Sequence, residues 1–321
     1  MAGNTSFDEI LTTTLNNYIP KLTDNIFSAR PLFYALTNGQ TMRTVSGGAK
    51  IIVPVIYGKN TTAQSYAGTE TILTAAQTGI SAAEYNWGQY AATVTINGME
   101  EAKNNGEAQI IDLLEGKIFQ TQETIIENMN TMFHGDANRA GTAKSTDWNG
   151  LANIVDGSFL TANTLGGIDP SAAANVNEWW ASNEVALGGA LTTAAMATSY
   201  NNVSVGNDQP TIIMTTQALY EKYEGLLTSN IRYTDTDMAD AGFQNLMFKG
   251  APVTFDGATP TGVVYFLNTK YLQLVRHSDV WFKPTPFVRP IEKDAVFSQI
   301  LCYGQLTCSN RARQALITGA T

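Results

Sequence analysis

The feature that most constrains this chain is a stretch in which Ile111, Leu114, Ile118, Ile125, Met129 and Met132 recur with gaps of three, four and seven residues. Such gaps return to one side of an α-helix. The positions across from them, Glu115, Gln122, Glu123 and Glu127, are polar. The spacing predicts a helix from about Glu107 to Phe133, roughly 40 Å long at 1.5 Å per residue. Helices of globular domains average only about 11–12 residues. A two-helix coiled coil would need more heptads, so a single helix lying along a sheet fits better.

Strand signals flank this helix. Ala49–Tyr57 is β-branched, and Pro54 marks it as an edge strand because proline offers no ladder donor. Tyr90–Asn97 reads as a second strand, with Ala92, Val94 and Ile96 on one face. The intervening stretch, rich in Thr, Ala, Gly and Gln, is too long for a tight hairpin turn. Loops beyond about 12–15 residues in compact domains are usually functional or disordered. This one carries Tyr66, Tyr85 and Trp87, which either anchor another chain or fold back on their own domain.

Before the first strand, Ser6 and Glu9 fit a capping box. Phe7, Ile10, Leu11, Thr14 and Leu15 follow at helical spacing as far as Pro20, and Leu22, Ile26 and Phe27 suggest a second piece closed by Pro31. Short amphipathic pieces of this kind must lie on something else. After the long helix, residues 134–175 read as a glycine-rich loop, and a helix is expected over Val176–Ala197. A strand at Thr211–Thr215 leads into Thr216 as N-cap of a helix Gln217–Leu227, with Leu219, Tyr220, Tyr223 and Leu227 inward. A polar loop over Thr228–Asp240 precedes Phe248–Asp256 and a strand at Gly262–Asn268. The last residues are mostly strand: Tyr271–Val275, Val280–Lys283, Val296–Tyr303 and Arg313–Ile317. The class is α+β.

Composition narrows what such a chain does. It has 321 residues, 44% hydrophobic but only 15% charged, against a usual charged share of about 25%. Two readings fit: a glycine- and threonine-rich β protein, or a subunit whose surface neighbours cover. The net charge of -9 argues against a direct grip on nucleic acid, which needs a dense basic patch. It leaves room for a protein that encloses DNA without gripping it. Asp8 and Glu9 stand where a secretory signal would be apolar, and Ile51–Ile56 is far short of a membrane helix. Cys302 and Cys308 read as reduced, partly buried thiols.

No catalytic constellation stands out, and no metal or cofactor site is expected. The histidines, His134 after the long helix and His277 at a strand end, read as solvated or structural. Ser46 lacks the glycines of a nucleophile elbow. Gly141–Ser145 departs from a phosphate loop at Asn138 and Ala143, and Asp235–Asp237 lacks the glycine and glutamate of a calcium loop.

The order of parts resembles the major capsid proteins of tailed bacteriophages, with the Hong Kong 97-type (Johnson) fold. Ser28–Leu32 followed by Gly47–Ile51 is similar to the arm-to-loop junction of that family. Phe248–Val253 resembles its central strand turn, and Tyr265–Leu272 the return from the central lobe. Gln299–Leu306 and Asn310–Arg313 resemble its closing strands. The resemblance implies an N-terminal arm (1–48), an extended β-hairpin loop (49–98), a peripheral domain with the spine helix (99–175 and 269–304) and an α/β axial domain (176–268 and 305–321). It further implies a non-enzymatic subunit that self-assembles into pentamers and hexamers of an icosahedral head shell enclosing double-stranded DNA. The expected location is the virion, with assembly in the host cytoplasm and no membrane. A separate scaffolding protein, a portal and a decoration protein are the expected partners. Because the sequence starts at the arm, scaffolding is expected from another protein. Lys59 has no identifiable acceptor or acid catalyst, so no covalent cross-link is expected. Phe7, Phe33, Tyr66, Tyr85 and Trp87 are the candidate subunit-interface residues. An encapsulin-like cellular shell shares the same subunit shape; a hydrolytic enzyme and a tail-tube subunit are more distant readings.

Overall fold

In a computed structural model of the chain, the residues described are 30–38, 41–103, 107–135, 147–157, 164–171, 177–227 and 246–321, with the side chains of 37–38 and 101–116 left aside. The capping box at Ser6 and Glu9, the piece around Leu22–Phe27, the phosphate-loop-like Gly141–Ser145, the polar loop Thr228–Asp240 and Asp235–Asp237 lie outside them.

The predicted spine helix is present as α3, Glu107–His134 (α1 is Pro31–Asn38 and α2 Gly98–Lys103). From its middle onward Ile118, Ile125, Ile126, Met129 and Phe133 are buried. Gln122, expected on the polar face, is buried as well. It stands four residues after Ile118, on the same side of the helix, and fills the seven-residue gap in the apolar pattern. His134 is no loop residue: it closes α3 with its ring fully buried. Pro31 opens α1 where it was expected to close a helix. The first helical position tolerates proline because its N–H would be unpaired anyway.

The spine helix packs along β4, Gly88–Asn97. This strand was expected to pair with Ile51–Tyr57. It instead pairs antiparallel with β12, Ala295–Cys308, from Asn97↔Ala295 to Gly88↔Gly304. On the opposite edge of β12 lie β10 (Leu272–His277) and β11 (Lys283–Pro284), and β1 (Met42–Val45) runs parallel to β10. The facing glycines leave a slot: a Cβ at Gly88 or Gly304 would stand within 3 Å of the Trp148 indole, which is 1% exposed. Ala92, Val94 and Ile96 share the inner face, as their alternation predicts.

The second sheet has six strands in the order β5, β13, β9, β6, β8, β7. These are Asn183–Gly189, Ala315–Ala320, Val264–Leu267, Ile212–Thr215, Ala251–Phe255 and Leu246–Phe248. Both of its faces are covered. Ile212, Met214, Tyr265, Leu267 and Leu316 join the core shared with the spine helix. The alternate residues Ile213, Val264, Phe266, Ala315 and Ile317 pack under α5 (Thr193–Val203) and α6 (Gln217–Leu226). Strands buried on both faces read as unbroken apolar runs, as β6 and β9 do. β7 and β8 are joined by Lys249-Gly250, both at positive φ (49° and 88°), the geometry of a two-residue hairpin turn.

The helix expected over Val176–Ala197 is replaced by β5 and the later-starting α5. The free edge of β13 recruits Asn183–Gly189 as a parallel strand, and such a ladder overrides the helical preference of its alanine and leucine. Gly188 then turns the chain at φ 60°, and Thr192 caps α5 by accepting from the Ala195 N–H at 3.2 Å. The change of sheet between β12 and β13 falls after Cys308, not after residue 304, because β12 continues unbroken to that point.

At this crossing sits Arg311, with a fully buried side chain. Its Nε donates to the Ile154 carbonyl at 2.8 Å and its Nη2 to the Asn153 carbonyl at 3.1 Å, with Asp156 Oδ1 at 3.4 Å. The carbonyls belong to the end of the short α4, Leu151–Ile154. Replacing Arg311 by Met leaves the buried Asp156 carboxylate without this cation. Removing one partner of a buried pair costs about 3–5 kcal/mol; urea unfolding of Arg311→Met should show a loss of that order, and a loss under about 1 kcal/mol would contradict the assignment.

Candidate functional site

No constellation of catalytic groups forms among the described residues, and no group of three His, Cys, Asp or Glu there could hold a metal. A cleft of about 530 Å³ lies between the segment Pro290–Lys293 and the Thr93, Thr95, Phe297 and Gln299 side of the first sheet. It brings together one carboxylate and one amine, Glu292 and Lys293, on an exposed loop. A polar cleft of about 170 Å³ is lined by Glu84, Asn86, Asp147, Asn149, Asn153 and Gln305. Glu84 is engaged there by Lys50 at 2.6 Å. Gln305 ties the backbone together by donating to the Asn86 and Asp147 carbonyls and accepting from the Asn149 N–H.

Cys302 and Cys308 are unpaired and fully buried. Burial pushes both thiols up to about 12, so neither forms the thiolate that reactivity requires. His277 is half-buried beside Trp87. Among the described residues no helix is long and apolar enough to cross a membrane.

The candidate surface that remains is a hairpin. β2 (Ile51–Ile56) pairs with β3 (Ile80–Tyr85) in a sheet of their own, in the register Ile51↔Tyr85 to Ile56↔Ile80. Strand alternation sorts its side chains. Ile51, Val53, Val55, Ala83 and Tyr85 face the body and are buried. Ile52, Ile56 and Ile80 face outward at 57%, 79% and 75% exposure. The hairpin narrows where the Tyr57 and Gly58 N–H groups both donate to the Gly79 carbonyl. A Cβ on Gly79 would lie 2.9 Å from the Gly58 oxygen, so this close approach needs glycine. Beyond this neck the tip holds Tyr66, Ile72 and Leu73, all more than half exposed.

An isolated two-stranded hairpin is marginal in water, and here the base is pinned to the body. The Tyr57 ring stacks on Trp179 with centroids 5.2 Å apart. The Glu84 N–H donates to the Gly166 carbonyl at 2.8 Å. The Tyr85 hydroxyl donates to the Cys308 carbonyl at 2.7 Å and accepts from the Cys308 N–H at 3.2 Å.

These contacts redistribute the expected interface residues. Tyr85 is 2% exposed and Phe33 1% exposed. Phe33 meets Phe133 of the spine helix edge-on at 4.9 Å. Both rings are core residues of this chain, because α1 packs inward and strand alternation turns Tyr85 toward the body. Trp87 is half-buried, and its Nε1 donates to the Gly48 carbonyl at 2.8 Å. Tyr66 remains on the surface of the tip, and Phe7 lies outside the described residues. The residues that sequence reasoning passed over are Ile52, Ile56 and Ile80. Their signal was available: Ile51–Ile56 is apolar in both alternating phases, unlike a strand with one face in water.

Magnitudes rank the contributions of this surface. The Lys50–Glu84 pair is half exposed and such pairs are worth about 0–1 kcal/mol. Covering a large aliphatic side chain yields about 1.5–3 kcal/mol. On the outer face the exposed isoleucines therefore outweigh the ion pair.

No protein-family profile matches the sequence and no curated protein matches it. Solved structures do. A chain of the cyanophage A-1(L) capsid is 17% identical, with a TM-score of 0.64 covering 91% of this chain and 93% of that one. The chain has the Hong Kong 97-type fold. The capsid of a native GTA particle matches at a TM-score of 0.59 with 12% identity, covering 89% and 90%. The SrpI encapsulin of Synechococcus elongatus matches at 0.54 with 11% identity, covering 88% and 86%.

The burial of Phe33 predicts that Phe33→Ala destabilises the folded chain by about 3–5 kcal/mol, whereas Tyr66→Ala at the exposed tip changes it by less than about 0.5 kcal/mol. Urea melts of the two variants check this, and equal stabilities would contradict the placement of Phe33.

Proposed function

We propose that this protein is the major capsid protein of a tailed bacteriophage, a non-enzymatic subunit that self-assembles into hexamers and pentamers closing an icosahedral head around double-stranded DNA. The observation that carries the reading is the hairpin. Its base is pinned to the subunit, while the outer face of Ile52, Ile56 and Ile80 and the tip beyond Gly58 and Gly79 stand open to water. A contiguous exposed apolar surface on a projecting element marks an interaction site, and many weak contacts of this kind hold a closed shell together. The fold supports the reading, since the solved structures it resembles include several capsid chains.

In this reading residues 1–48 are the arm and the hairpin at 51–85 is the extended loop. The spine helix with the sheet of β1, β4, β10, β11 and β12 forms the peripheral domain. The six-stranded sheet with α5 and α6 forms the axial domain around the five- and six-fold axes. The location is the virion capsid, assembled in the host cytoplasm with a separate scaffolding protein, a portal and a decoration protein as partners. The net charge of -9 favours a lining that encloses the genome without gripping it.

The encapsulin likeness supports a second reading, a cellular nanocompartment shell. Neighbouring genes separate the two: terminase and portal genes accompany a capsid protein, a cargo enzyme gene an encapsulin.

Electron microscopy of the protein expressed alone and with its neighbouring genes should show capsomer rings or closed shells; a strictly monomeric species under both conditions would sink the shell reading. Ile56→Asp combined with Ile80→Asp, or replacement of residues 61–77 by a short glycine turn, should leave the subunit folded and abolish stable shells. Shells of normal yield and thermal stability from both variants would refute the contact role of the hairpin.

A further inference from the structure

The polar cleft of about 170 Å³ at the foot of the hairpin gathers oxygen-bearing groups from separate segments of the chain. Glu84 comes from β3, Asp147, Asn149 and Asn153 from α4 and the residues leading into it, and Gln305 from β12. The Gly166 carbonyl, which accepts the Glu84 N–H, closes another side. Gln305 is spent on the frame: its Nε2 donates to the Asn86 and Asp147 carbonyls and its Oε1 accepts from the Asn149 and Leu306 N–H groups. Neither histidine nor cysteine lines the cleft.

Asn153 is the odd member. It is 1% exposed, and its Oδ1 has no hydrogen-bond partner among the described residues. Its Nδ2 lies 3.4 Å from Asn149 Oδ1, so turning the amide round would set two oxygens against each other. Oδ1 is therefore the unpaired atom. A buried acceptor left in this way costs free energy, and here it lines a cleft that also holds two carboxylates.

We propose that this cleft binds a divalent cation of the calcium type, held by the Glu84 and Asp147 carboxylates and the Asn153 amide oxygen and completed by water. The inference rests on the cleft alone and holds whether or not the chain builds a shell. Donor chemistry selects the ion. Hard cations take carboxylate, amide and water oxygens, whereas softer ions take thiolate and imidazole. A water occupies about 30 Å³ in the liquid, so the cleft has room for an ion that keeps several waters. Donors from separate segments suit the flexible shell of calcium better than the near-ideal octahedron of magnesium.

Two positive charges bear on the site. Lys50 holds Glu84 Oε2 at 2.6 Å, both side chains being about half exposed, and a cation must share or displace it. The Arg311 guanidinium donates to the Asn153 backbone carbonyl and lies 3.4 Å from the Asp156 carboxylate, which offsets its charge. Two carboxylates, one of them engaged by Lys50, set the affinity among the weaker calcium sites, with a Kd of about 0.1–1 mM. Glu84 belongs to the hairpin and Asp147 and Asn153 to the body, so the ion adds a further pin between them.

Terbium(III), a luminescent stand-in for calcium, tests the site on the full chain after chelator treatment. Tyr85 lines the cleft, so excitation of the aromatic rings should give terbium emission. Calcium should reverse it with a Kd of about 0.1–1 mM, and magnesium at least tenfold less effectively. Glu84→Gln combined with Asp147→Asn should weaken calcium binding at least tenfold and abolish the rise in Tm that calcium gives the wild type. Glu292→Gln, in the other cleft, should change neither. Lys50→Met releases Glu84 and should tighten binding severalfold. The proposal is overturned by a wild type without calcium-reversible emission, by magnesium as effective as calcium, by unchanged affinity in the double variant, or by loss of binding in Glu292→Gln. If the double variant does not fold, Lys50→Met decides alone, and an affinity no higher than that of the wild type overturns the proposal.

Discussion

The fold hangs on the passage of one strand into the next. β12 is hydrogen-bonded on both edges, to β4 on one side and to β10 and β11 on the other. After Cys308 the chain crosses to the second sheet and becomes β13, which is again paired on both edges. The link between them carries Arg311, a charge taken wholly out of water. A buried guanidinium is tolerable only with its donors satisfied, and the Ile154 and Asn153 carbonyls together with Asp156 meet that condition. Satisfying the arginine positions the link, and the link joins the two sheets.

The same crossing reaches the hairpin. Tyr85, at the end of β3, closes a two-way hydrogen bond with the backbone of Cys308, three residues before Arg311. Burial pushes the Tyr85 phenol far above its ordinary range, so it stays a neutral donor at any physiological pH. The base of the projecting element is thereby tied to the segment that joins the sheets, while its outer face stays free. A chain arranged in this way carries its own core and leaves Ile52, Ile56 and Ile80 exposed on one face.

Much of the architecture was legible. The spine helix followed from one apolar stripe whose period no strand can mimic. The inward faces of β4 and α6 followed from alternation and from Leu219, Tyr220 and Tyr223. The Phe248–Ala251 turn was expected from the family resemblance of Phe248–Val253. Pairing was not legible. Tyr90–Asn97 was matched to the nearest strand in sequence, whereas its partner lies some two hundred residues further on. Alternation states which face of a strand is buried and is silent about which edge meets it. Asn183–Gly189 read as helix because the alanine and leucine preferences are local, while the ladder that overrides them belongs to the distant β13.

The interface residues divide along the same line. By itself the sequence determined that this chain holds one long amphipathic helix, strands from distant segments, little charge and no recognisable catalytic motif. These are properties of single residues and short spacings. Only the tertiary structure decided that Phe33 and Tyr85 belong to the core, that Ile52, Ile56 and Ile80 face water, and that Glu84, Asp147 and Asn153 line one cleft. Burial depends on what the rest of the chain places over a side chain. For these residues the covering segment, or the lack of one, is set by pairings and packing that span most of the sequence.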